Sequence, residues 1–209
     1  MQNESVVHVI DDDQAVRESI AFLLEAAGLE VRIYESAPAF LAASDRPTGC
    51  IITDVRMPDM TGIELARRLR DSGSHEPVII ITGHADVPLA IEAMHAGVSD
   101  FLEKPFDDEL LLASIKRVLD RANEAASAEA ERRDIAARID SLSGRERDVL
   151  KGLVEGRANK AIAFDLDISP RTVEVYRANL MTKMQARSLS ELVRMVLTFG
   201  SFPVDERSA

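Results

Sequence analysis

The chain has 209 residues, enough for two ordinary domains, with 46% hydrophobic residues and a formal charge of −11. Its single cysteine, Cys50, excludes an internal disulfide and sits inside an apolar run, where it reads as a small buried hydrophobe. No apolar stretch approaches the ~18 residues of a membrane helix, and no basic segment followed by a long apolar run suggests a secretory signal, so a cytoplasmic protein is expected.

Apolar runs then alternate with helical patterns. Strands are expected at 6–10, 30–34, 50–53, 78–82 and 100–103, and helices at 14–27, 36–44, 62–71, 87–96 and from 107 onward. Short continuous apolar runs suit parallel strands covered on both faces, so the first part is expected to be α/β, a doubly wound, five-stranded parallel sheet. Gly28, Gly73 and Gly97 each follow a helical stretch, where a left-handed C-cap is wanted, and Asp59–Gly62 reads as a turn.

In such a sheet, ligands bind beyond the carboxyl ends of the strands. Asp11 and Asp12, Asp54, Thr82 and Lys104 follow or close four of the runs, so they converge there. Three carboxylates attract a hard divalent cation, and Mg²⁺ suits oxygen ligands and waters. An aspartate also acts as a nucleophile toward phosphoryl groups, and a cation, an ammonium and a hydroxyl share the charge of the acyl phosphate. Any one of these residues alone is ordinary cap or turn chemistry. Five at neighbouring strand ends make a site. Among the histidines, His8 reads as core or sheet face, His75 as loop and His95 as helix surface, and none has ligand spacing with another His or Cys. His84, two residues past Thr82, is placed to affect water access to an acyl phosphate.

From Phe106 to Ser143 there is no Gly or Pro, and strong helix formers dominate. Leu112, Ile115, Leu119, Ala122 and Ala126 form a short heptad seam that fades at Glu129. Two readings stay open: the first part packs on the sheet, or the whole is a rigid rod between two domains. Ser143 with Glu146 three residues on has capping-box spacing. Helices are expected at 144–155, 159–165, 170–184 and 188–198, with Ser169 as N-cap and Pro170 at the first helical position of the third. Two short helices around such a turn form a helix-turn-helix. The expected organisation is a receiving domain at 1–123, a helical linker at 124–140, a small all-α tetrahelical domain at 141–202 and a tail at 203–209. Acidity belongs to the first, where 22 Asp+Glu face 11 Lys+Arg, whereas 141–202 carries +3, as a small nucleic-acid-binding module does. On a helical wheel of residues 170–184, Val173, Tyr176, Leu180 and Met184 share the core side, and Arg171, Val175, Ala178 and Thr182 lie opposite. A face of small residues can enter a major groove, with Arg171, Arg177, Lys160 and Lys183 placed to meet phosphates.

Ile10-Asp11-Asp12-Asp13, Thr53-Asp54-Val55-Arg56-Met57-Pro58, Ile81-Thr82-Gly83-His84 and Glu103-Lys104-Pro105-Phe106 resemble the motifs of response-regulator receiver domains of two-component signalling, over about residues 4–122. The resemblance implies that Asp54 is the phosphoacceptor. It also implies that Asp12, Asp54 and the carbonyl of Arg56 ligate Mg²⁺ with Asp11 assisting through water, that Thr82 and Lys104 bind phosphoryl oxygens, and that Lys104-Pro105 is cis. Phe101 becomes a switch residue beside Thr82, and Ile91 and His95 lie on a face where two phosphorylated receivers pair.

Leu142-Ser-Gly-Arg-Glu-Arg-Asp-Val-Leu, Asn159-Lys-Ala-Ile-Ala and Ile168-Ser-Pro-Arg-Thr-Val-Glu-Val-Tyr resemble LuxR-type output domains of the NarL/FixJ class, over about residues 140–200. That family implies double-stranded DNA as partner, read by Glu174, Val175 and Ala178 with Arg171 and Thr172 alongside, and dimerisation through the last helix. Tyr176 stands where many relatives have His. Over the whole chain the resemblance is strongest to the nitrogen-fixation regulators of the class. It implies a sensor histidine kinase of the oxygen-sensing FixL type as phosphodonor and activation of nitrogen-fixation or microaerobic genes. Alternatives are the same receiver controlling another regulon, or a receiver with a protein- or RNA-binding output. A haloacid-dehalogenase-like phosphatase uses similar residues but needs a general-acid Asp two positions after the nucleophile, where this chain has Arg56, so no enzyme is expected.

Overall fold

A computed structural model describes residues 6–43, 48–83 and 87–199. The chain divides into two compact units, Met1–Ala125 and Ala126–Ala209.

In the first unit, β1 (Val7–Ile10), β2 (Val31–Tyr34), β3 (Cys50–Asp54), β4 (Val78–Thr82) and β5 (Asp100–Glu103) form one parallel sheet of order β2-β1-β3-β4-β5. Its helices are α1 (Gln14–Ala26), α2 (Ala37–Ala43), α3 (Gly62–Asp71), α4 (Val87–His95) and the start of α5 (Asp108–Asp140). Successive strand residues face opposite sides, so Ile51 and Ile80 join one core while Ile52 and Ile79 join the other. Phe40 of α2, Leu65 and Leu69 of α3 and Ala93 of α4 cover the first face, and Leu24 of α1 with Leu111, Ile115 and Val118 of α5 cover the second. Both faces are therefore dry, which is why β1, β3 and β4 are dominated by apolar residues that point to both sides. His8 is buried between Tyr34 and Phe40, and that burial lowers its pKa. Gly28, Gly73 and Gly97 all take positive φ directly after helices.

Helix α5 is continuous over 33 residues. Its buried positions Leu111, Ile115 and Val118 follow the 3.6-residue period of a helix lying on a sheet. The expected heptad seam overlaps this stripe at Ile115, with Leu112 and Leu119 partly buried against the same core, Ala122 partly buried and Ala126 exposed.

The second unit contains α6 (Gly144–Val154), α7 (Asn159–Asp165), α8 (Pro170–Lys183) and α9 (Leu189–Phe199). Ser143 and Glu146 close a reciprocal capping box on α6, and the Ser169 side chain accepts from Thr172 N on α8, which starts at Pro170. At Gly152 an added Cβ would meet Ile162 Cγ1 at 2.7 Å, so α6 and α7 cross closely there. Val149, Leu150, Val173, Leu180, Met184 and Leu192 are fully buried together. Ile135 and Ile139, within the stretch expected as a linker, belong to the same core. Residues 200–202 and 203–209 lie outside the described residues.

Candidate functional site

The strand order reverses direction between β1 and β3, and the site lies at the carboxyl ends beside that point. Register aligns the chain ends: Ile10 pairs with Thr53, Asp54 with Ile81, and Thr82 with Glu103. Lys104 follows, its backbone N donating to Thr82 O at 2.7 Å, and the Lys104-Pro105 peptide is cis.

The Lys104 ammonium donates to Asp11 Oδ2 at 2.9 Å and to Asp54 Oδ1 at 3.0 Å. Burial works against its charge, but these two carboxylates outweigh burial and hold the lysine above its ordinary pKa. The second oxygen of Asp54 accepts from the backbone N–H of Arg56 at 2.6 Å, so the carboxylate is fixed at both ends. Thr82 is buried at the end of β4, and Phe101 of β5 is half-buried against the first core.

The three consecutive aspartates have three different environments. Asp11 is 4% exposed and accepts from Asp13 N as well as Lys104. Asp13 is the N-cap of α1, accepting from Ala15 N and Val16 N. Asp12 is exposed. Asp11 and Asp54 meet at the Lys104 ammonium, and among the described residues no three acidic, His or Cys side chains form a metal cluster. The donor set nevertheless fits Mg²⁺, which takes one or two protein carboxylates and completes its octahedron with water or phosphate oxygens. Each carboxylate oxygen keeps a lone pair beyond its hydrogen bond. His84 lies outside the described residues.

Sequence reasoning missed the parts that support Asp54. Thr61 caps α3 and forms a capping box with Glu64, a Thr-x-x-Glu spacing visible in the sequence. Gly62 follows, and an added Cβ there would lie 2.3 Å from Asp54 O, so only glycine lets α3 start under the acceptor strand. Arg17 donates to Asp11 O at 2.6 Å, a contact with no sequence signal.

Helix α4 buries one residue, Ala93, and exposes Val87, Ile91, Met94 and His95 at i, i+4, i+7 and i+8, a continuous stripe. On α8, Val173, Leu180 and Met184 are fully buried and Tyr176 is half-buried, while Arg171, Glu174, Val175 and Ala178 are exposed. Lys160 is exposed on α7 and Arg177 is half-buried. Thr172 has its hydroxyl 2.8 Å from that of Ser169. Lys183, expected at a phosphate, pairs within the unit: its Nζ lies 2.7 Å from Glu146 Oε2 and donates to Ser141 O at 3.4 Å.

Residues 7–116 match the family model of the response regulator receiver domain, and residues 140–196 that of the bacterial regulatory proteins of the luxR family. The chain is 59% identical to the transcriptional regulatory protein FixJ of Azorhizobium caulinodans over 203 residues, covering 96% of this chain and 95% of that protein. Among solved structures it resembles full-length FixJ of B. japonicum, 54% identical with a TM-score of 0.60, covering 94% of this chain and 98% of that one. It also resembles the response regulator StyR, 39% identical with a TM-score of 0.82, covering 93% and 98%.

Proposed function

The chain belongs to the response-regulator family with a LuxR-type output, a phosphorylation-dependent transcription regulator and not an enzyme, and on that premise we propose that Asp54 is its phosphoacceptor and that phosphorylation pairs two receivers to place the output on promoter DNA. The observation that carries this is the Lys104 ammonium, held between Asp11 and Asp54 at the strand ends. An Asp54 carboxylate oxygen attacks the phosphorus of a kinase phosphohistidine. The P–N bond breaks, the imidazole leaves with the electron pair and takes a proton, and an acyl phosphate remains on Asp54. Lys104 then shifts from Asp54 Oδ1 to a phosphoryl oxygen, and the Thr82 hydroxyl donates to another.

Receiver domains generally bind Mg²⁺ at this site. Here Asp11, Asp12, Asp54 and the Arg56 carbonyl would hold it. When bound, the ion neutralises phosphoryl oxygens. As Thr82 moves toward the phosphoryl group, Phe101 turns into the space it leaves, selecting a conformation already in the ensemble. The face bearing Ile91 and His95 then becomes a symmetric dimer surface.

A receiver implies a histidine kinase partner and the LuxR-type domain implies DNA binding. Similarity to FixJ supports a FixL-type kinase and nitrogen-fixation or microaerobic promoters as the regulon. No helix among the described residues is long and apolar enough to cross a membrane; the LuxR-type domain is what supports work in the cytoplasm. On α8, Val175, Ala178 and Glu174 read bases, with Arg171, Arg177 and Thr172, and Lys160 of α7, toward the backbone, while Lys183 stays paired with Glu146. The test is Asp54→Asn with a phosphorylated kinase. Loss of hydroxylamine-labile labelling, and of the gain in DNA affinity on adding acetyl phosphate, is expected. Full labelling of the variant overturns the assignment.

A further inference from the structure

The recognition helix is held at its C-terminal end by a residue outside the matched output domain. Met184, the C-cap of α8, directs its carbonyl at Arg138 of α5, whose Nη1 donates to it at 2.9 Å. Arg138 precedes the 140–196 span that matches the luxR family. One turn earlier on α5, Asp134 Oδ2 lies 2.6 Å from Nη2 of the same guanidinium and aims it. The surroundings are rigid, because Ile135 and Ile139 on either side are buried with Leu180 and Met184. The last four carbonyls of a helix lack intrahelical partners, and a cation there also meets the negative end of the helix dipole. Gln185 then leaves the helix at φ +53°, so Arg138 grips α8 where its direction is set.

The guanidinium is not an economical way to fill this volume. Its Nε is buried without a hydrogen-bond partner. An orphan donor of this kind destabilises, so pure packing favours an apolar side chain here. Arginine reaches Asp134 and Met184 at once, which an apolar residue cannot do.

We propose that Arg138, aimed by Asp134, is a positioning residue for DNA recognition: it fixes the C-terminal end of α8 and so the angle at which the helix presents its exposed face. This rests on α8 being the helix that enters the groove. The output unit then includes the last turns of α5 as a working part.

The test uses the full chain with acetyl phosphate and a duplex selected from a randomised pool by the phosphorylated parent chain, titrated at several salt concentrations. Arg138→Met is expected to bind about tenfold more weakly, the scale of one lost charge-assisted hydrogen bond. The slope of log affinity against log salt stays unchanged, and amide exchange rises at residues 184–186. Arg138→Lys, which keeps a cation at the C-terminal end of α8, is expected to recover part of the affinity. A slope lowered by about one marks Arg138 as a phosphate contact and overturns the proposal. So does unchanged affinity. Asp134→Ala covers the case in which Arg138→Met does not fold, since Asp134 is exposed. Removing a carboxylate by itself favours binding to a polyanion, so weaker binding in Asp134→Ala supports positioning, and equal or tighter binding overturns it. Substitutions at Val175 run in parallel: if they leave base preference unmoved, the reading of α8 as the groove helix fails instead.

Discussion

Glu146 is an acidic residue whose charge is used inside the fold. It is 4% exposed, it accepts from the backbone N and hydroxyl of Ser143, and it pairs with Lys183. The lysine first, then the Ser143 N–H, pull its pKa from 4.5 to about 2, against the opposing effect of burial. Because the folded value lies below the unfolded one, this contribution to stability is complete above pH ~5 and is lost as pH falls through 2. Glu146→Gln is therefore expected to lower the thermal midpoint of the second unit at neutral pH and to converge with the parent toward pH 2, measured by calorimetry across that range. A constant difference at all pH values sinks the argument. The capping box was legible because its spacing is local. The Lys183 pair was not, because it joins residues 37 apart in the chain. The aspartates teach the same lesson: Asp11, Asp12 and Asp13 are chemically identical in sequence, and only the packed fold separates the buried, the exposed and the capping one.

At the scale of elements, the strands were legible because parallel strands with two dry faces carry continuous apolar runs, and helix ends because caps and glycines are local signals. The buried stripe of α5 was legible at Ile115 and missed at Leu111 and Val118, because Leu110, Leu111 and Leu112 are adjacent and the sheet alone decides that Leu111 turns fully inward. Exposure also sets what two helices can be tested for. Ile91, 49% exposed on α4, stands in an apolar stripe with Val87 and Met94, 73% and 75% exposed. Ile91→Glu is expected to block phosphorylation-dependent dimers in sedimentation while leaving Asp54 labelling intact. Persisting dimers exclude this face. On α8, Arg171 and Val175 are both exposed, Val175 at 56%, but with different chemistry. Arg171→Ala is expected to weaken binding to all sequences and to lower the salt slope by about one. Val175 substitutions are expected to shift base preference at one position by about 1–3 kcal/mol, read by selection from randomised duplexes.

At the scale of the whole molecule, one helix contributes to both cores: α5 gives Leu111, Ile115 and Val118 to the first unit and Ile135 and Ile139 to the second. The residues between, 119–134, are rich in Ala, Glu and Arg and mostly exposed, so their own helix propensity and neighbouring charges must keep them helical. Pairs such as Arg133–Glu129 and Arg138–Asp134 at i,i+4 add a few tenths of a kcal/mol each. An element of this kind can couple phosphorylation to DNA binding by transmitting orientation, whereas a flexible tether supplies only effective concentration, which depends weakly on length. Inserting four glycines after Ala128 separates the two cases, since each glycine costs about 1 kcal/mol of helix stability relative to alanine and together they break the helix. Neither core loses a residue, so both units remain folded and Asp54 labelling is retained. Transmission through α5 predicts a large loss of the phosphorylation-induced gain in DNA affinity, measured by titration with and without acetyl phosphate. An insertion variant that keeps the full gain shows that pairing of the receivers is sufficient and that the continuity of α5 plays no part in the response.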